Sequence, residues 1–293
     1  MKLLYSILTG SVAGCLLAVV GCGAPAAQGT APPASTADAD GAPVQAENAQ
    51  PADGHKETPS SDAASDLDRA LALARQSLAN LETIKDYTCV FSKRERVGDV
   101  LLPEERSEMK IRHQPFSVYL RAIEPTSSAG QEVIYVEGRN DGNLIAHTTG
   151  FGSSVIGRLS LDPHGYLATR GNRYTIKDVG LANLVQKLID LGSKKELFRD
   201  STTTIEKTEF AERPCTQVEI SSPRPVGDFR LAIARIVLDD EWDVPVHFES
   251  HEWPAGDAAE PVLSETYSYY DLKLNVGLTD RDFDPDNPEY SFP

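Results

Sequence analysis

His247, Glu249 and His251 alternate along one predicted strand, and they are the residues best suited to metal chemistry. In a strand all three side chains point to one face, and imidazole and carboxylate are ligands for a divalent ion. Closing the shell needs a further ligand from elsewhere in the fold. The histidines are also not one helical turn apart, as the zinc-protease motif requires. A solvated strand face is the better reading, and no metal or other cofactor is expected. Ser160, Asp162 and His164 carry the side chains of nucleophilic catalysis, but Ser160 has neither the G-x-S-x-G elbow nor a strand–turn–helix setting. Ser153-Ser154 lies in a Gly-rich stretch without the Lys of a phosphate loop. No catalytic activity is expected. The densest basic run is Lys93-Arg94-Glu95-Arg96. Strand alternation divides it between two faces, and Glu95, Glu104, Glu105 and Glu108 are at hand to pair with it.

These residues sit on a series of short strands. From Asp86 to Thr148 the sequence reads as stacked hairpins. Tyr87, Cys89 and Phe91 alternate with Thr88, Val90 and Ser92, the period-2 pattern of a strand with one buried face. Met109–His113, Phe116–Leu120 and Val133–Tyr135 follow, and Gly138–Gly142 (GRNDG) has the residues of a turn with positive φ. No segment between them is long enough for a parallel crossover, so the sheet should be antiparallel and wide. Asp66–Asp86 is predicted as a helix, with Leu67, Leu71, Ala74, Leu78, Leu81 and Ile84 in one apolar stripe. A second helix is expected within 178–199, with Gly192 placed to end it. The stretch 149–171 reads as a long loop with one or two short strands. Strands return over 201–272, and a tail rich in Pro and Asp follows, with Phe283, Tyr290 and Phe292 expected to dock on the body.

The 293 residues carry a formal charge of −16, of which −12 falls on residues 66–293. A body this acidic repels nucleic acid, and no basic stripe overrides the balance. Met1–Cys22 has a positive start and a short apolar region, the pattern of an export signal. Val19-Val20-Gly21-Cys22 resembles the lipobox of bacterial lipoproteins. That resemblance implies cleavage before Cys22, its acylation and anchorage to a membrane. The alternative is an ordinary secretory signal, cut after Ala24 or Ala27, with a free thiol at Cys22. Since Gly23 is not Asp, the outer membrane is the expected location, on its periplasmic side. Residues 23–65 are too polar and Pro-rich to fold and read as a tether. The folded domain is then 66–293. In an exported chain Cys89 and Cys215 could form a disulfide or pack as two buried thiols.

The segments YTCVFSKRERV, MKIRHQPFSVYL, EVIYVEGRNDGNLIAH, LSLDPHGYLATRGNRYTI and YDLKLNVGLTDRDFDPDNPEY resemble the bacterial DUF1571 family over about residues 80–290. The order of elements also resembles the LolA/LolB-like fold. This is an α+β fold in which a wide, curved antiparallel sheet forms a half-open barrel. An N-terminal helix and an inserted helix lie on its concave face. The resemblance implies a non-catalytic binder of a lipid or a lipoprotein acyl chain. Tyr87, Phe91, Phe116, Tyr119 and Tyr135 would then line the cavity. The alternative is an envelope interaction or assembly module whose core is filled by its own side chains. Neither reading fixes the ligand or the oligomeric state.

Overall fold

The computed structural model describes residues 61–148, 157–254 and 260–293. Cys22, the signal and residues 23–60 of the tether read from the sequence lie outside the described residues, as do residues 149–156 of the Gly- and Ser-rich loop; residues 61–65, expected as the end of the tether, instead open the first helix. Helix α1 spans Ser61–Leu81. The expected continuation to Asp86 fails for a physical reason. Thr83 Oγ1 donates to Asn80 O at 2.7 Å, and Ile84 N donates to Leu81 O in a closing turn. Asp86 is then needed elsewhere: its carboxylate accepts Gly277 N and Leu278 N at 2.9 and 3.2 Å.

Among the described residues twelve strands form one antiparallel sheet: β1 Asp86–Val97, β2 Val100–Leu101, β3 Glu105–Arg112, β4 Ser117–Glu124, β5 Glu132–Val136, β6 Leu144–His147, β7 Leu159–Leu161, β8 Thr202–Phe210, β9 Arg213–Ser221, β10 Leu231–Asp239, β11 Pro245–Glu252 and β12 Val262–Leu274. Their order is β7-β6-β5-β4-β3-β1-β12-β11-β10-β9-β8, with β2 paired to the far end of β1. The sheet is open, because β7 and β8 do not meet. The central contact is β1 against β12, the two longest strands. Helix α2 is the short Tyr166–Thr169, and α3 is Leu181–Gly192. The second predicted helix is therefore shorter than 178–199. Gly180 at φ +113° breaks the chain before it, and a separate 3-10 turn over Lys195–Phe198 follows it.

Alternation sorts the side chains onto two faces. Tyr87, Phe91, Ile111, Val118 and Tyr135 share one core with Leu181, Val185 and Ile189 of α3. Tyr119, Ile134 and Val136, one residue out of phase, share another core with Phe283 and Phe292 of the C-terminal tail. The tail does dock, and it covers the face opposite the helices. The disulfide considered for Cys89 and Cys215 is corrected: both are free thiols, and both are buried. Cys89 is on β1 and Cys215 on β9, with β12, β11 and β10 between them. Four strand spacings amount to roughly 19 Å along the sheet, whereas a disulfide requires Cα atoms about 4.4–6.8 Å apart. Burial raises the Cys89 thiol well above its ordinary value.

Candidate functional site

Helices α1 and α3 do not close fully on β9–β11. A void of about 70 Å³ lies between them, lined by residues that include Leu71, Ala74, Leu188, Gly192, Ala234 and Phe248. Small residues leave the gap. A Cβ placed on Gly192 would lie 2.8 Å from Leu71 Cδ2, so the glycine is what lets α1 and α3 approach. Apart from Arg235 the lining residues are apolar, so the void offers water few hydrogen bonds.

None of the five aromatic residues expected to line a cavity borders this void, which corrects that expectation. Tyr87, Phe91 and Tyr135 are in the packed core, and Phe116 packs against it. Tyr119 is on the other face, stacked on Tyr290 at 4.1 Å. Tyr87 instead has a positioning role. It is fully buried, and its Oη accepts Leu181 N, the first amide of α3, at 2.9 Å. Gly180 must pass close by, since a Cβ there would lie 3.1 Å from that oxygen. Gly180→Ala is expected to cost about 1–3 kcal/mol, because a side chain is strained at this φ. A drop in the urea midpoint at unchanged slope would show it.

Beyond Phe248 the helix-side face turns polar. Phe248 stacks on Tyr267 with ring centroids 6.2 Å apart. Tyr267 Oη lies 2.6 Å from Glu95 Oε1 and 3.0 Å from Glu265 Oε2. Glu95 and Glu265 are directly opposite one another on β1 and β12, and each is only 6 % exposed. Two carboxylates in this position repel. Arg173 answers the repulsion from the segment before α3. Its backbone N donates to Glu95 Oε2 at 3.0 Å, and its guanidinium reaches Glu265 and Glu252, each at 3.2 Å. Tyr174 Oη donates to Glu265 at 3.1 Å. Lys93 bonds Asn172 and pairs with Glu105 at 3.2 Å. Burial alone would lower the Lys93 ammonium, but Glu95 and Glu105 outweigh it and raise it. Burial raises the Glu265 carboxyl, with Glu95 adding to the rise against the pull of Arg173. Tyr267 Oη sits between the two carboxylates, with one hydroxyl proton to share between them. The opening beside this cluster measures about 10 Å³, room for no substrate. The cluster fastens segment 171–174, and through it the start of α3, to the sheet.

The sequence places Glu95 in phase with Tyr87, Cys89 and Phe91, so a charge on the core face was readable. Its partners Arg173 and Tyr267, 78 and 172 residues away, were not. Of the acids expected to pair with the basic run, Glu105 and Glu95 do so, through Lys93. Glu104 accepts Ser92 Oγ, and Glu108 takes Arg121. His247, Glu249 and His251 do share a face, but Arg235 holds Glu249 at 2.7 Å and His247 pairs with Ser268 Oγ at 2.8 Å. Among the described residues no group of His, Cys, Asp and Glu is arranged to hold a metal. Burial lowers the His247 imidazole. Ser160 Oγ, on β7, accepts Asn140 Nδ2 from the turn before β6, and Asp162 accepts the backbone N of His164 in its own turn, so Ser160 and Asp162 serve structural contacts rather than a nucleophile–base pair. Among the described residues no helix is long and apolar enough to cross a membrane.

Several solved structures resemble the fold distantly. An uncharacterised conserved protein from Thermus thermophilus is 8% identical, over 73% of this chain and 92% of its own, at a TM-score of 0.41. The Mycobacterium tuberculosis lipoprotein LppX is 14% identical, over 72% and 98%, at 0.40. A LolA superfamily protein from Nitrosomonas europaea is 14% identical, over 72% and 97%, at 0.33. Likeness of this degree does not carry an activity from one protein to another. No curated protein matches the chain in sequence. A family model, by contrast, matches residues 84–292, most of the chain, and the chain belongs to that family, DUF1571, described as proteins of unknown function.

Proposed function

We propose that this chain is an exported, non-catalytic binding module whose sheet serves as a half-open barrel. Its ligand is an apolar chain, such as the acyl part of a lipid or lipoprotein, taken up between α1, α3 and β9–β11. Acylated Cys22 anchors it to the periplasmic face of the outer membrane, residues 23–60 give it reach, and residues 61–293 form the binding domain. The observation that carries this reading is the apolar void between the helices and the sheet. At about 70 Å³ the void is smaller than the roughly 300 Å³ of the smallest ordinary ligand pockets, so the ligand has to displace helix side chains. Helix α1 is the element placed to yield. Its polar contacts with the sheet cluster near its C-terminal end, where Asn80 donates to Trp242 O and Gln76 to Asp243. Leu67 and Leu71, nearer the other end, rest on apolar neighbours that a hydrocarbon can replace.

The small volume also favours a second reading, an envelope interaction module with a self-filled core. Mass spectrometry of protein purified without detergent separates the two. The binding reading expects about one lipid retained per chain and saturable uptake of cis-parinaric acid. Absence of both leaves the interaction reading.

A further inference from the structure

The tail covers a built groove on the outer face of the sheet, away from the apolar void. The groove is set with cations from separate elements. Lys110 on β3 pairs with Asp282 at 2.9 Å, Arg112 and Arg139 with Asp280 at 2.8 and 2.7 Å, and Arg158 with Asp286 at 2.6 Å. Its floor is apolar and takes Phe283, Tyr290 and Phe292. At its centre is Glu132, which is 0 % exposed. Glu132 Oε1 accepts Tyr119 Oη, and Oε2 accepts the tail amide Ser291 N, both at 2.7 Å.

A buried carboxylate aimed at the backbone of a peripheral segment is costly unless that segment is in place. The groove holds a substitute donor. His147 Nδ1 is buried, has no hydrogen-bond partner among the described residues, and lies 3.8 Å from Glu132 Oε2, the oxygen that accepts Ser291 N. A shift of about 1 Å would bring it into hydrogen-bond range when the tail leaves. The link from β12 to the tail is short and constrained. Asn275 at φ +55° and Gly277 at φ +83° flank Val276, which is exposed. Short hinges under strain favour exchange of the segment they carry.

We infer that the outer face of β3–β6 is a peptide-recognition groove, with residues 278–293 as its resident ligand, and that a second copy of the chain can supply the same segment in trans. The recognised chemistry is an acidic, turn-rich segment, with a 3-10 turn over Asp280–Phe283 and aromatic residues in the spacing Phe-x6-Tyr-x-Phe. This assignment does not depend on the apolar void.

The test uses full-length chain and a labelled synthetic peptide of residues 278–293. In wild type the resident tail competes at the high effective concentration of a tethered segment. Tyr290→Ala with Phe292→Ala weakens that competitor. The double variant should bind the peptide at least tenfold more tightly than wild type by fluorescence anisotropy. Adding Glu132→Gln should reduce that binding at least tenfold. Equal binding of a scrambled peptide, or no saturable binding to a folded double variant, overturns the inference. If the double variant does not fold, hydrogen exchange on wild type decides. Exchange at Ser291 far faster than at β1 and β12 amides supports an exchangeable tail. Exchange at the same rate makes the tail core and refutes the inference. Mixed tagged copies that co-purify only after concentration would report exchange in trans. Copies that never mix would refute that part.

Discussion

Arg173→Met should destabilise the domain by about 3–5 kcal/mol, the usual cost of leaving buried charge without its partner. The guanidinium is the cation that Glu265 and Glu252 share, and Lys93 is already committed to Glu105 and Asn172. Methionine fills similar volume and removes only the charge and the donors. Urea denaturation measures the loss. Adding Glu265→Gln should recover at least half of it, because the amide removes one of the opposed charges. Such coupling is expected between groups in one network. If the two changes add without coupling, the cluster does not hold together as described. A pH signature follows from the raised Glu265 carboxyl. Because its folded value is higher than its unfolded one, its contribution is complete below the ordinary value of 4.5 and fades as pH rises through the folded value. Glu265→Gln should flatten that decline above pH 4.5. Asp178, Asp239 and Asp282 are held low despite burial, by partners that include Lys187, Arg213 and Lys110. Their contributions are present above 3.8 and lost as pH falls through their folded values, so the two windows separate.

Much of this fold is legible in the sequence, for reasons visible in particular residues. The period-2 alternation of Tyr87, Cys89 and Phe91 reports burial on one face only, and that face meets α3. Gly138, Asn140, Asp141 and Gly142 all have positive φ, as the turn composition requires. Other features have no local signal. Ala211 and Glu212 form a left-handed two-residue turn between β8 and β9 without the usual Asn or Gly, so pairing of the strands overrides local preference. The void was not legible at all, because it is set by how closely Gly192 lets α3 approach Leu71, a tertiary distance. The carboxylate pair is an intermediate case. Glu95 violates the apolar phase of its strand, which marks it, but its neutralising partner comes from the approach to α3.

The void itself gives the second large prediction, with stability and affinity moving in opposite directions. Leu71→Ala should cost about 2–4 kcal/mol, since it deletes buried methyl groups beside an existing gap. The enlarged void should take cis-parinaric acid about tenfold more tightly, because each Å² of apolar surface removed from water contributes roughly 25 cal/mol. Ala234→Val fills the same space from β10. It should raise stability by about 0.5–2 kcal/mol, as cavity-filling changes commonly do, and weaken probe binding at least tenfold. A site that has to open for its ligand is less stable empty than its packing would allow, and filling it removes function as it adds stability. A self-filled core makes a different prediction for the two proteins that matter most, wild type and Ala234→Val. Neither would take up the probe, and only their melting temperatures would differ. Uptake by wild type that Ala234→Val abolishes is therefore the result that assigns the void to a ligand.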